Sequence, residues 1–239
     1  ERALAIEPDL PEGHVVLGRV RLYFDWDWEG AKESYRRAME LAPGIAVGRH
    51  GAGVLAQNEG RMDEALDLYR RAVDQDPLSA AAYHRLGLAC LVAGRLADAE
   101  AAFRTSIELA PQRVAVHSSL ALVLLAQGRH DEALEEAERE SEREYRLQAL
   151  TAIYHAQGRS GDSDEALRTL VAEDSAQAAF QIAQAYAARD EAGAAFEWLE
   201  RAYLQRDPGL AEIKGSPLLD RLRDDPRWGT FLKKMGLRE

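Results

Sequence analysis

One feature limits what this chain can fold into more than any other. Residues 45–76 and 79–110, each closed by a proline, match in residue type at a fixed spacing of 34, with Gly53 over Gly87, Gly60 over Gly94, Ala65 over Ala99, Tyr69 over Phe103 and Pro77 over Pro111. A period between 20 and 50 residues marks stacked units that bury their apolar faces on one another. Within each unit two stripes of helical spacing flank a short turn, which predicts an antiparallel helix hairpin. Gly60, Gly94, Gly128 and Gly158 fit the left-handed cap that ends a first helix. The acidic pairs Asp63-Glu64, Asp131-Glu132 and Asp164-Glu165 fit the start of a second helix, and Pro43, Pro77 and Pro111 its end. Glycine inside a helix costs about 1 kcal/mol against alanine, so Gly18, Gly53 and Gly87 are read as points where two helices approach closely.

The period extends in both directions with defects. Residues 1–8 match the end of a second helix and are expected to be the remnant of a truncated repeat. Residues 9–140 read as four regular units. In the first, Gly18 to Ala31 is one residue longer than Gly53 to Ala65, and the extra residue is assigned to the turn at 25–28, leaving Trp26 over Gly60 and Gly94. In the fourth, Gly158 follows Gly128 by only 30 residues and Glu140 stands where Ala38 and Ala72 stood. A second helix shortened by about one turn and a changed stacking angle are expected there. Residues 141–209 read as two irregular units, the fifth with a turn three residues longer than usual and Ala166 at the small position. Residues 210–239 carry no repeat, and their apolar positions Leu218, Leu222, Trp228, Phe231 and Leu232 predict a cap over the last unit. The fold class is therefore all-α, a superhelical solenoid of about six hairpins with a C-terminal capping helix.

Composition excludes several functions. The net charge of −11 argues against a nucleic-acid partner, which calls for a basic stripe. No apolar run approaches the length of a bilayer span, and the cytoplasm is the default compartment. The single cysteine, Cys90, leaves no internal disulfide and no cysteine-based metal site. The histidines show no ligand spacing, and the GxGxxA match at 51–56 has no strand before it and is already explained by the repeat. Asp162, Asp164 and Glu165 lack the glycine and distant glutamate of a calcium loop. No metal, no cofactor and no catalytic set are expected. The acidic run 131–144 reads as a solvated helix face with Glu135 and Arg139 paired, with an acidic docking patch for a basic partner as the alternative.

With these positions fixed, the chain resembles the tetratricopeptide repeat family, through Tyr83, Leu86-Gly87, Cys90, Ala99, Phe103, Ser106 and Pro111. The runs at 24–43 and 195–237 further resemble the C-terminal repeat module of some bacterial signalling proteins. The resemblance implies a non-catalytic interaction scaffold whose first helices line a concave, peptide-binding groove. The side chains expected on that groove are Arg19, Leu22 and Tyr23, then His50, Val54 and Gln57, then His84, Arg85, Leu88 and Leu91, then Ser118, Leu122 and Leu125. Trp26, at the expected loop tip, is added as an anchor, with packing onto Tyr23 or the neighbouring unit as the other reading. The set of residues with which some members bind a C-terminal carboxylate is incomplete here. The expected partner is a protein or peptide. The alternative is a structural module that holds a larger signalling protein together or dimerises it through its C-terminal half.

Overall fold

A computed structural model describes residues 2–43 and 46–238. The described residues form fourteen α-helices and no strand. A short α1 (Arg2–Ile6) precedes six hairpins. These are α2 (Pro11–Val20) with α3 (Trp28–Leu41), α4 (Ala46–Asn58) with α5 (Met62–Gln75), and α6 (Ala80–Val92) with α7 (Leu96–Leu109). Then follow α8 (Val116–Ala126) with α9 (His130–Glu138), α10 (Arg143–Ala156) with α11 (Ser160–Asp174), and α12 (Ala179–Ala188) with α13 (Ala192–Gln205). Two 3₁₀ segments, Pro208–Gly215 and Pro217–Leu222, lead into α14 (Pro226–Lys234).

The repeated residues act as the spacing predicts. Tyr35, Tyr69 and Phe103 are fully buried between the two helices of their hairpins. A Cβ built on Gly53 would lie 2.6 Å from the Tyr69 ring, and one on Gly87 the same distance from Phe103, closer than van der Waals contact allows. The ring of the second helix is thus seated on the bare backbone of the first. Ala31, Ala65, Ala99, Ala133 and Ala195 are fully buried at the facing small position.

Each turn closes through one residue with left-handed backbone. Gly60, Gly94, Gly128 and Gly158 have φ between 70° and 78°, and the next residue donates its N–H five residues back, as in Arg61 to Ala56 at 2.8 Å and Arg95 to Cys90 at 2.8 Å. Trp26 (φ 53°) and Asp190 (φ 62°) take that place in the first and sixth hairpins. In the first, the Asp27 N–H reaches six residues back to Arg21 at 2.9 Å, and Arg21–Asp25 is a π-helical turn. The extra residue therefore does not lengthen the turn, as expected from sequence. It is absorbed upstream as a wider helical turn, and Trp26 occupies the glycine site.

Two further corrections concern the irregular units. The turn of the fifth hairpin is no longer than the others, because α11 begins at Ser160, directly after Gly158-Arg159. The small position, five residues past the turn glycine, belongs to Ser163, which is fully buried and donates to the Thr151 carbonyl at 2.9 Å. Ala166 lies one helical turn further on. In the fourth hairpin α9 has nine residues against fourteen in α5 and α7, the expected shortening. Glu140 falls beyond the helix end, where its carboxylate accepts the N–H groups of Ser118 (3.3 Å) and Glu142 (3.2 Å). Arg139 pairs with Glu136, three residues before it, and not with Glu135.

Residues 208–237 depart most from expectation. Their apolar side chains Leu210, Ile213, Leu219, Leu222, Trp228, Phe231 and Leu232 pack into one core with α12 and α13, which is the expected cap. The same segment also runs on across the concave side to the first two hairpins. Ala211 is buried among Leu22, Tyr35, Val54 and Leu55, and the Trp28 indole donates to the Met235 carbonyl at 2.7 Å. The first and last hairpins are joined through this segment.

Candidate functional site

The concave side is built by the first helix of each hairpin, α2, α4, α6, α8, α10 and α12. Side chains three, six, nine and ten residues before the turn residue converge there, since these offsets share one helical face. Pro208–Gly215 crosses this surface and is held by polar contacts as well as apolar ones. The Asn58 amide donates to the Ala211 carbonyl at 2.8 Å. Arg85 donates to both carboxylate oxygens of Glu212, at 2.6 and 2.7 Å, and the Tyr23 hydroxyl donates to the same group at 3.1 Å. With its proton committed to Glu212, Tyr23 accepts from Nε2–H of His50 at 3.3 Å. That tautomer leaves His50 Nδ1 as an acceptor, buried and without a partner among the described residues.

Burial dominates the electrostatics. It holds the His50 imidazole well below its ordinary pKa, with Arg85, Arg19 and Arg113 acting in the same direction. His84 is lowered for the same reason, burial first and then Arg85 and Arg113. Its Nδ1 accepts from Arg113 Nε at 3.1 Å, and its Nε2–H points to Ser119 Oγ at 3.2 Å, which donates in turn to the Ala115 carbonyl at 2.6 Å. Burial raises the Tyr23 hydroxyl, and Glu212 raises it further. Burial by itself would lower Arg85, but the Glu212 carboxylate more than offsets this and raises it. These neutral histidines and the closed Arg85–Glu212 pair give the concave face little free charge near its centre.

Beside the crossing segment a half-open cavity of about 320 Å³ remains. Of the side chains expected on the groove, it gathers Tyr23, His84, Arg85, Leu88, Leu91, Ser118 and Leu122. Val54 and Gln57 instead border a much smaller neighbouring space beside Asn58 and Glu212. His50 lies under the Tyr23 hydroxyl and borders neither space. Arg19 is exposed and lines neither. Leu22 is fully buried beneath the surface.

Trp26 requires correction. It is 8% exposed and packs on α13, stacked on Tyr203 with centroids 5.0 Å apart and covered by the Arg206 guanidinium at 4.8 Å. The left-handed backbone at the turn aims the indole at the last hairpin, so it closes the array and offers no free anchor. In the C-terminal half, on which the alternative reading places a dimer contact, Leu210, Ile213, Leu219, Leu222, Trp228, Phe231 and Leu232 pack within this chain.

The cavity also contains residues not expected there: Tyr145 and Gln148 on α10, Phe180, Gln181 and Gln184 on α12, and Ser216 and Pro217 after the crossing segment, with Leu218, expected in the cap, bordering the cavity while Leu219 fills the core. The helix residues were within reach of the sequence. Counted back from the turn residues Gly158 and Asp190, Gln148 stands where His84 and Ser118 stand, Gln181 where Arg85 stands, and Gln184 where Leu88 and Leu122 stand.

Comparison with known proteins agrees with this architecture. The sequence model of the tetratricopeptide repeat matches residues 50–114 and 97–149. Residues 50–149 are tetratricopeptide repeats. The helical hairpins on either side continue the same fold. No curated protein matches the sequence. Among solved structures, PilW, described as a widely conserved type IV pilus biogenesis factor, superposes with a TM-score of 0.62 at 22% identity, over 72% of this chain and 81% of that one. PilF of Pseudomonas aeruginosa gives 0.60 at 18% identity, over 85% and 95%. The Cut9–Hcn1 hetero-tetramer of the APC/C gives 0.64 at 17% identity, over 92% of this chain and 44% of that one. At such identities the likeness is one of fold. A tetratricopeptide array is a protein-interaction scaffold, and no helix among the described residues is long and apolar enough to cross a membrane.

Proposed function

We propose that this protein is a non-catalytic scaffold that takes a short segment of a partner protein into the cavity left on its concave face. The observation that carries the reading is the cavity itself. First helices of successive hairpins bring Leu88, Leu91 and Leu122 together as an apolar wall beside His84, Arg85 and Ser118. A concave, mostly apolar space with a few placed polar groups is the usual form of a ligand site, and its volume admits one anchoring side chain with the flanking backbone. The crossing segment narrows the open groove expected for the fold, so the partner contributes a short stretch and not a long helix. The resemblance of 24–43 and 195–237 to regulatory repeat modules supports a role within a larger bacterial regulatory chain acting in the cytoplasm.

Selection from a displayed random peptide library tests the reading. The wild-type chain is expected to enrich related sequences carrying an apolar residue. The double variant Leu88→Glu with Leu122→Glu is expected to enrich none while keeping its helical circular dichroism. Equal enrichment by the two proteins would count against the cavity. A second reading, self-association, rests on the exposure of Val16, Val20 and Phe24 along the first helix. A sedimentation mass twice that of the chain would favour it.

A further inference from the structure

The inner wall of the cavity, on α10 and α12, holds polar groups that no protein contact uses. Gln181 is only 9% exposed, yet its amide makes no hydrogen bond to any described residue and it borders the cavity. Its neighbours are fixed. Gln148 donates to the Gln184 carbonyl oxygen, and Gln184 donates to Ser216 Oγ at 2.6 Å. Gln148 is 5% exposed, and this chain leaves its carbonyl oxygen free as an acceptor. The Tyr145 hydroxyl, on the same wall, has no described partner either. Phe180, Leu88 and Leu122 border the same cavity as apolar neighbours.

The Gln181 amide is not sealed from solvent, so water in the cavity meets its donor and acceptor until a ligand replaces that water. Gln181 presents one donor side and one acceptor side into a space large enough for a ligand. The complement of a primary amide is one residue of extended backbone, whose own N–H and C=O point to the same side. Charge is not selected, since Arg85 is closed by Glu212 and His84 is held neutral. A charged ligand would have to shed its hydration here, and the nearby Arg113 guanidinium is already engaged by His84 Nδ1.

We propose that Gln181, aided by the free oxygen of Gln148 and the hydroxyl of Tyr145, forms an amide-reading subsite. It holds the main-chain N–H and C=O of one partner residue while that residue's apolar side chain rests on Leu88, Leu122 and Phe180. The proposal rests on the cavity's being the partner site. It adds that the ligand is a neutral peptide unit, recognised through its backbone and its apolar bulk.

The probe is N-acetyl-leucine-N′-methylamide, a leucine flanked by two peptide groups. It is titrated into the full chain while the side-chain amide resonances of Gln148, Gln181 and Gln184 are followed. Saturable shifts of the Gln181 resonance are expected. Affinity is expected to be about tenfold weaker for the ester analogue in which oxygen replaces the leucine N–H, and for Gln181→Leu, which keeps the volume and removes the amide. N-acetyl-leucine, with its free carboxylate, is expected to bind less well than either neutral form. Gln181→Asn, with a shorter amide, is expected to recover part of the loss. Binding that is lost in Leu122→Glu but unchanged in Gln181→Leu would overturn the amide subsite and leave the cavity reading standing. No saturable shift in the wild-type chain would overturn both. A free leucine derivative that binds while library peptides do not would assign the same chemistry to a small ligand and overturn the partner-peptide source.

Discussion

The middle of the array and the segment that crosses it are stabilised by different means. From α4 to α9 the repeated apolar contacts join residues within one hairpin or between adjacent ones, Val54 and Leu55 against Ala211 apart, and the same few types recur: glycine under an aromatic ring, alanine against alanine, left-handed glycine at the turn. Residues 208–237 reach across the chain. Glu212 meets Arg85 from 127 residues away, Ala211 meets Asn58 from 153, and Met235 meets Trp28 from 207. The first kind of stability is local and repeated, so one defect, such as the π-turn at Arg21–Asp25, leaves the neighbouring units intact. The second kind turns an open superhelix into a closed one and decides how much of the concave face a partner can use.

The largest expected effect lies in the repeated middle. Phe103→Ala removes a fully buried ring from the backbone of Gly87 and is expected to cost about 3–5 kcal/mol, read as a fall in the urea midpoint at unchanged slope. A cost near zero would mean that the hairpin does not depend on its ring. An intermediate effect belongs to the histidines beneath the crossing segment. Folded His50 and His84 lie well below their usual pKa, while in the unfolded chain they titrate near about 6.5. Below that pH the unfolded chain gains protons that the folded chain does not. Their contribution is therefore complete above pH 6.5, falls as the pH drops through it, and continues to fall toward the folded pKa. Between pH 7.5 and 5.5 the expected loss is about 1 kcal/mol for each histidine. Denaturant midpoints across that interval check it, and His50→Gln with His84→Gln is expected to flatten the profile. The smallest effect is Trp28→Phe, which removes the bond to the Met235 carbonyl and is expected to cost about 1 kcal/mol. Its sharper readout is hydrogen exchange, which is expected to quicken in α14 and not in α6 or α7.

The contrast also explains what the sequence disclosed. Gly53, Gly87 and the rings above them were legible because their chemistry repeats at one spacing, and the concave positions followed by counting. The same counting carried into α10 and α12, from Gly158 and Asp190, reaches Gln148, Gln181 and Gln184. The π-turn was hidden because one inserted residue can sit anywhere between Gly18 and Ala31. The turn residue Trp26 was placed correctly over the glycines, but its packing on Tyr203 joins units that sequence spacing does not relate. Glu212 belongs to a stretch without period, so nothing local marked it as the partner of Arg85 and Tyr23. Its segment read as an end cap because its apolar content fits a cap, and half of its role is one.

The central claim is that residues 208–237 hold the last hairpin against the first. Glu29 and Arg238 border one space between the start of α3 and the C-terminal segment, and both are exposed. Nitroxide labels on Glu29→Cys and Arg238→Cys, with Cys90 buried and out of reach, report their separation directly by dipolar spectroscopy. A single narrow distribution at short range is the expected result. A broad distribution reaching across the length of an open superhelix would contradict the closure, and with it the narrowed cavity on which the proposed function depends.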